Sequence, residues 1–503
     1  MSTSLIAAPV LLPVLAGTAT LLFRLRRRAI GAGISVASCA ALVMIAALLM
    51  ARTFGADPQA YALGNWPAPF GIVLVLDQLS ALMLVLTALL ALAVAVHAVL
   101  TGLDRKGWHF HALFQFQLLG VNGAFLTGDL FNLFVFFEVF LIASYGLMLH
   151  GQGAKRLTAG VQYVIINLVG SSVFLVALGL LYGITGTLNM ADMAVRAAAL
   201  PAGDRGILQA GAFLLIMVFA LKAALVPLHF WLPRTYANTA PAVAAMFAIM
   251  TKVGAYSIIR TATLIFGDEA GAFLLPAALL TMVLGYAGML AARQLRDMAA
   301  FGLLGSTATL LAAIALFDEA AMTAALYYML HTTLAAGLLF LLVDLVIRWR
   351  AVEGAGIVPT PAYKGKVALG VLFFITAIGF AGLPPLSGFI GKLLILAAAT
   401  PAPLAPTIWG VILVTSLMGI VALARAGSSL FWKADSSPPI PETRPAPDYT
   451  EAAPTVGLIA LLVVLAAAAG PITAYAQSTA AQLFAPQGYI TAVLGDNYGS
   501  AAL

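Results

Sequence analysis

The sequence predicts an all-α polytopic membrane protein of about fourteen transmembrane helices, and three observations lead there. The 503 residues are 62% hydrophobic and only 9% charged, with mean hydropathy +1.04, whereas soluble domains carry about a quarter charged residues. Apolar segments of about 20 residues recur along the chain, the length that a bilayer core requires. Lysine and arginine gather in alternate connecting loops, the pattern that sets membrane orientation.

Taken in order, the first apolar run covers roughly 4–23 and has the length of a signal peptide. A signal peptide carries its positive residues before the apolar core, but here Arg24, Arg26, Arg27 and Arg28 follow it. It is therefore expected to remain as the first span. Further spans are expected at roughly 30–50, 73–100, 109–127, 129–149, 158–185, 207–235, 240–266, 270–291, 298–317, 319–347, 367–399, 406–425 and 453–475. The longer ones must tilt or break. The stretch from Ser436 to Ala453, rich in proline and acidic residues, reads as an irregular loop.

The loops test this count. Alternate ones hold Arg24 to Arg28, Arg105 and Lys106, Lys155 and Arg156, Arg234, Arg293 and Arg296, Arg348 to Lys366, then Arg425, Lys433 and Arg444. The others hold Arg52, Arg196 and Arg205 beside Asp57, Asp192, Asp204, Asp268, Glu269, Asp318 and Glu319. The positive-inside rule puts the first set in the cytoplasm and both termini outside. A net charge of +6 thus records topology, not a nucleic-acid surface. The single Cys39 excludes an internal disulfide and any Cys-ligated zinc or iron–sulfur centre. No glycine-rich phosphate loop or dinucleotide fingerprint follows a strand. No cofactor, no metal and no covalent catalysis are expected.

Few ionisable residues remain inside spans. Arg260 and Asp344 lie near a water interface and read as interfacial anchors, while Asp77, Asp129 and His97 lie close to helix ends. Glu138, Lys222, Lys252, His331 and Lys392 each sit well inside a long apolar helix. A charge at a helix centre costs about 2.5–3.5 kcal/mol on insertion scales, so these groups should face protein or trapped water. Pro227 follows Lys222 by five residues, cannot donate a backbone hydrogen bond, and breaks or kinks its helix. Such a break at membrane depth needs protein or water to satisfy the freed groups. The bland alternative is a set of paired charges that clamp helices, although buried pairs seldom gain much over apolar packing.

The residue types suit protons. Burial lowers a lysine pKa and a nearby carboxylate raises it again. A histidine can take a proton on one nitrogen and release one from the other. A Lys–His–Lys series with bridging water is a relay. Internal similarity points the same way. Tyr163 to Ser172 in the sixth predicted span resembles Tyr327 to Thr333 in the eleventh: a polar residue, Asn167 or His331, follows a tyrosine by four positions and so shares its helix face. The seventh span, with Lys222, Pro227 and Pro233, resembles the twelfth, with Pro384, Pro385 and Lys392. Five helices separate the copies, so they run in opposite directions, a pointer to a transporter's ion path.

The motif Phe219-Ala220-Leu221-Lys222-Ala223-Ala224-Leu225-Val226-Pro227-Leu228-His229-Phe230-Trp231-Leu232-Pro233 resembles the signature of antiporter-like, proton-translocating membrane subunits. These occur in respiratory complex I, membrane-bound hydrogenases and Mrp-type multisubunit Na+/H+ antiporters. The resemblance implies fourteen helices with two inverted five-helix repeats, each holding one broken helix. It divides the chain into 1–108, with helices one to three; 109–266, the first repeat; 267–425, the second; and 426–503, with a cytoplasmic loop, the last helix and a tail. It implies that Glu138 pairs with and modulates Lys222, and that protons pass along Lys222, Lys252, His331 and Lys392. His229, Asp344, Tyr163 and Asn167 are secondary candidates.

Glutamate at 138 with lysine at 392, and the similarity of Thr251 to Arg260, favour the D subunit of Mrp antiporters. The tail of about 28 residues expected after the last span is too short for the long lateral helix of the complex I member that shares both choices. Partner subunits, a bacterial inner-membrane location and exchange of Na+ or K+ for protons are what the resemblance implies. The alternative is a proton-pumping subunit of a complex I-like oxidoreductase or membrane-bound hydrogenase.

Overall fold

The computed structural model describes residues 3–22, 28–66, 69–350, 354–361, 363–433 and 447–495. Helices carry almost all of it. The N-terminal group is α1 (Ala8–Leu22), α2 (Arg28–Thr53), α3 (Gln78–Leu100) and α4 (Phe110–Leu126). Next come α5 (Leu130–Met148), α6 (Ala154–Thr185), the short α7 (Met190–Ala198), α8 (Arg205–Lys222), α9 (Trp231–Asn238) and α10 (Pro241–Thr261). The later group is α11 (Gly271–Ala291), α12 (Leu295–Ile314), α13 (Glu319–Arg350), α14 (Lys366–Ala381), α15 (Ser387–Ala399) and α16 (Ala405–Gly427). The chain closes with α17 (Ala453–Ala467), α18 (Ala469–Phe484) and α19 (Gln487–Leu494). Among the described residues, 12 helices are long and apolar enough to cross a membrane by length and composition. The chain is an all-α polytopic membrane protein apart from one small hairpin.

That hairpin, β1 (Gln59–Ala62) with β2 (Val73–Leu76), is antiparallel with Gln59 opposite Leu76 and Ala62 opposite Val73. The sequence predicts a span that starts at 73. Val73-Leu74-Val75-Leu76 is instead a buried strand, and the helix begins only after Asp77, whose carboxylate accepts from the Ser80 amide at 2.8 Å. Asp129 caps α5 in the same way, accepting from the Asn132 amide at 2.7 Å. Each side-chain oxygen satisfies one of the orphan amides of a helix start.

Two predicted spans are each split. The 207–235 span becomes α8 and α9, and the 367–399 span becomes α14 and α15. Both first halves close alike. The Leu225 amide bonds the Ala220 carbonyl at 2.9 Å and the Ala224 amide bonds Leu221 at 3.0 Å; Leu383 bonds Ile378 at 3.0 Å and Gly382 bonds Gly379 at 3.1 Å. This double closure needs a left-handed residue just past the helix. Gly382 supplies it at φ 78°, and Ala224 adopts it at φ 60°. Both breaks contain a cis bond, Val226–Pro227 and Pro384–Pro385.

The last span also differs from expectation. It bends at Ala468 and continues as α18 to Phe484. The reason is a polar stripe that docks on the start of α3: Tyr475 Oη donates to the Gln78 carbonyl at 3.0 Å, and Gln482 Oε1 accepts from the Gln78 amide at 3.1 Å. Between Ala469 and Leu494 the chain after α17 is thus mostly packed helix.

The loops sort into two faces. Bridges join Leu74 to Thr127 and Asp129 to Asn189, while residues Thr3–Ala7 and α19 both pack on β1. This hairpin face therefore holds both ends of the described chain. On the opposite face His150 Nε2 meets the Leu103 carbonyl at 2.8 Å, Arg425 bonds the Ala292 carbonyl at 2.9 Å, and Gln294 bridges Gly356. Arg348 also meets Glu451 there, at 2.5 Å. That face carries Arg105, Lys106, Arg156, Arg293, Arg296 and Arg348, so contacts and charge divide the loops identically. Arg24, Arg26, Arg27, Arg444 and residues 434–446 of the expected irregular loop lie outside the described residues.

The centre of the bundle is α10 and α13. Every residue of α10 is buried, and α13 is buried over most of its length. A helix apolar on all sides belongs in the interior of a large protein. The buried Lys252 and His331 are carried by these two helices.

Candidate functional site

Six helices bring the titratable residues together. In sequence they are α5, α6, α8, α10, α13 and α15, and each packs against the next. They carry, in the same order, Glu138, Asn167 with Ser171, Lys222, Lys252, His331 and Lys392. The four basic groups are nearly closed to solvent, at 4, 0, 2 and 7% exposure; Glu138 is half-buried.

At the first break, Lys222 is the last residue of α8. Its Nζ donates to Asn167 Oδ1 at 2.9 Å and lies 6.0 Å from the centre of the Phe137 ring. Ser171 Oγ donates to Glu138 Oε1. Asn167 and Ser171 stand four residues apart on α6 and so share a face. Glu138 and Lys222 make no direct ion pair among the described residues; an amide and a hydroxyl stand between them. The Leu221 carbonyl beside Lys222 accepts from Trp231 Nε1 at 3.0 Å, and the Val226 amide donates to Thr281 Oγ1 at 2.9 Å. Protein groups thus satisfy the broken backbone, the condition for a break at membrane depth.

Lys252 Nζ donates to Thr307 Oγ1 of α12 at 3.1 Å, and Thr251 Oγ1 lies 3.4 Å from that same hydroxyl. His331 Nδ1 lies 3.0 Å from Ser387 Oγ, at the start of α15. Lys392 sits further along α15, after the break, whereas Lys222 precedes its own. The Lys392 ammonium reaches back to the Ala381 carbonyl at 2.8 Å and to Ser416 Oγ at 2.9 Å. It therefore neutralises a free carbonyl at the end of α14, where cations are favoured. Each basic group is held by a hydroxyl, an amide or a carbonyl. Hydroxyls both donate and accept, so the contacts suit proton passage better than permanent pairing.

The secondary candidates divide. Asn167 is part of the line. Tyr163 is a packing anchor: its hydroxyl lies 2.9 Å from Ser144 Oγ, and its ring stacks on Trp231 at 5.5 Å. His229 lines a cleft of about 520 Å³ with Gln162, Arg234 and Phe301. Asp344, partly exposed, lies 3.0 Å from His97 Nε2, so it ties α13 to α3. Arg260 departs from expectation. It does not snorkel, because Asp77 Oδ2 meets its Nη1 at 2.6 Å inside the protein. Burial raises the Asp77 carboxyl, but the Arg260 charge and the bonds from Arg260 and Ser80 outweigh it and hold the group below the usual carboxylate range.

Sequence reasoning missed the hydroxyls. Ser171, Thr307, Ser387 and Ser416 hold the titratable groups, and only Ser171 left a trace, as the residue four after Asn167. It missed the Asp77–Arg260 pair because its members sit on helices distant in the chain.

Comparison with known proteins gives a consistent picture. Residues 127–420 match the family model described as "NADH:quinone oxidoreductase/Mrp antiporter, TM". The chain is 40% identical to a probable K(+)/H(+) antiporter D subunit from Rhizobium meliloti (strain 1021), over 96% of both proteins. It is 35% identical to the Na(+)/H(+) antiporter D subunit from Bacillus subtilis (strain 168), over 97% of this chain and 98% of that one. Among solved structures, a chain of the Mrp complex from Dietzia sp. DQ12-45-1b superposes with a TM-score of 0.87 at 28% identity, covering 98% of this chain and 100% of that one.

Proposed function

We propose that this chain, which belongs to the NADH:quinone oxidoreductase/Mrp antiporter transmembrane family, is the D-type proton-translocating subunit of a multisubunit antiporter that exchanges Na+ or K+ for protons. Full-length similarity to two D subunits of cation/proton antiporters supports that choice over a respiratory-enzyme subunit. The chain works within an assembly of other antiporter subunits, in keeping with its likeness to a chain of the Mrp complex.

One observation carries the mechanism: six consecutively packed helices each present one link of a buried line from Glu138 to Lys392. Protons step along Lys222, Lys252, His331 and Lys392, with water between the side chains. Glu138 acts on Lys222 through Ser171 and Asn167. A proton on Glu138 weakens the pull on the Lys222 ammonium, and its loss restores it. His331, with a hydroxyl on one nitrogen, can receive on one side and release on the other.

The fold reading that goes with this is fourteen crossings in two inverted repeats. Helix α4 and the broken pair α14–α15 add two crossings to the twelve long helices, which makes fourteen. The matching closures at Ala224 and Gly382 support equivalence of the two broken helices. The basic face lies in the cytoplasm of a bacterial cell, and both termini lie outside its inner membrane.

Replacement of Lys222 by alanine tests the relay. Cation-driven pH changes in everted membrane vesicles should vanish while the assembled complex persists on a native gel. Normal exchange by an assembled Lys222→Ala complex would overturn the assignment.

A further inference from the structure

We propose that the Asp77–Arg260 pair, with the C-terminal helices over it, is a closed gate on a second proton branch that leaves the relay at Lys252 and ends at the hairpin face. The inference rests on the relay reading above and adds a route to it. Neither Asp77 nor the C-terminal helices fall within the 127–420 stretch that the family model matches.

Helix α10 places Lys252, Tyr256 and Arg260 at intervals of four, so the three stack along one side over about 12 Å. From Tyr256 onward the polar contacts connect. Arg260 Nε and Nη2 both lie 3.4 Å from Tyr256 Oη, and Nη2 lies 3.4 Å from Ser80 Oγ. Ser80 Oγ is 3.5 Å from Tyr256 Oη, and Tyr256 Oη donates to the Phe125 carbonyl at 2.8 Å. Arg260 Nη1 closes on Asp77 Oδ2 at 2.6 Å. One end of this network, at Tyr256, stands one helical turn along the buried α10 from Lys252; the other stands next to β2, on the hairpin face.

The cover is separate from the network it closes. Tyr489 of α19 lays its ring 5.0 Å from the Arg260 guanidinium, while Tyr475 and Gln482 of α18 grip the backbone of Gln78, the residue after Asp77. The Tyr489 hydroxyl is buried, with no hydrogen-bond partner among the described residues.

The division of labour follows from the side chains. Arginine does not deprotonate in proteins, so Arg260 cannot relay a proton, and while it holds the Asp77 carboxylate at 2.6 Å it keeps that group from accepting one. When α19 lifts, water reaches the pair. Through that water a proton from the Lys252 ammonium reaches the Tyr256 hydroxyl, which releases its own proton towards the Asp77 carboxylate, and Asp77 gives it up at the face. Lys252 is left neutral and is reloaded from the relay.

Proton leak through the reconstituted antiporter complex tests the gate, in liposomes with an imposed pH gradient and no Na+ or K+. Tyr489→Ala should raise the leak several-fold, and adding Lys252→Ala should remove the excess. A tight Tyr489→Ala complex, or an excess leak that survives Lys252→Ala, overturns the gate. Where Tyr489→Ala does not assemble, accessibility decides. In a Cys39→Ser background, Ser80→Cys should react with a membrane-impermeant maleimide faster under an imposed proton gradient than without one; equal rates, or no labelling, overturn it. Exchange lost in Lys222→Ala alongside a tight Tyr489→Ala complex removes the gate alone and leaves the relay standing.

Discussion

Replacing Gly388 by alanine adds one methyl group beside His331 and removes no titratable group. Its Cβ would lie 2.5 Å from the Gly379 carbonyl oxygen and 2.7 Å from His331 Nε2, where ordinary contact begins at 3.4 Å. The shortfall is about 0.9 Å at the carbonyl and about 0.7 Å at the imidazole. Gly379 is held in the closure of α14 by the Gly382 amide at 3.1 Å, so the imidazole or the start of α15 must yield. A shift of about 0.7 Å lengthens the 3.0 Å contact between His331 and Ser387 beyond hydrogen-bond reach. Overpacking of this kind costs about 1–3 kcal/mol, and alanine returns less than about 1 kcal/mol of helix propensity. The bundle should therefore still assemble. The transfer step is more sensitive, since about 1 Å of misplacement can cost on the order of 10²-fold in rate. Cation/proton exchange per assembled complex in everted vesicles is expected to fall by about that factor. Gly410→Ala on α16, where an added Cβ meets nothing within 4 Å, serves as control and should exchange normally. Wild-type exchange in an assembled Gly388→Ala complex would refute the argument that His331 geometry limits transport.

Other predictions follow from single contacts. Asn167→Leu strips the 2.9 Å acceptor from the Lys222 ammonium; the orphaned donor should cost about 1–3 kcal/mol, seen as a lower melting temperature with exchange impaired, and an unaltered melting curve counts against the contact. Glu451→Gln weakens the bonds from Arg348 at 2.5 and 3.2 Å and from Trp349 at 3.1 Å. With Arg348 partly exposed, the loss should be about 1–2 kcal/mol and leave exchange per complex intact; lost exchange at full assembly contradicts this. Asp77 supplies a pH test. A carboxyl whose pKa is lowered by folding adds stability above its unfolded value, about 3.9, and loses it as pH falls through the folded value. Asp77→Asn should flatten the acid side of a melting-temperature profile below about pH 5; an identical acid side excludes the effect.

Much of the site was legible because a bilayer makes charge conspicuous. Glu138, Lys222, Lys252, His331 and Lys392 stand out in runs of apolar residues, and hydrocarbon tolerates such groups only against protein or water. The prolines at 227, 384 and 385 marked both breaks for a related reason, as a residue without an amide hydrogen removes a helix hydrogen bond and crowds the preceding turn. Serine and threonine gave no such signal. In helices they commonly bond their own backbone four residues back, as Thr87, Ser257 and Thr333 do here. Nothing in the chain separates those from Thr307, Ser387 and Ser416, which hold relay groups.

Length and apolarity determined an all-α polytopic membrane chain from sequence alone, since both depend only on neighbouring residues and the solvent around them. Tertiary structure decided which groups touch. It put Asn167 and Ser171 between Glu138 and Lys222, moved Arg260 from an expected interface onto Asp77, and folded α18 and α19 back over the start of α3. Those contacts join residues far apart in the chain, and their partners are chosen by how whole helices pack. No local pattern of residues encodes that choice.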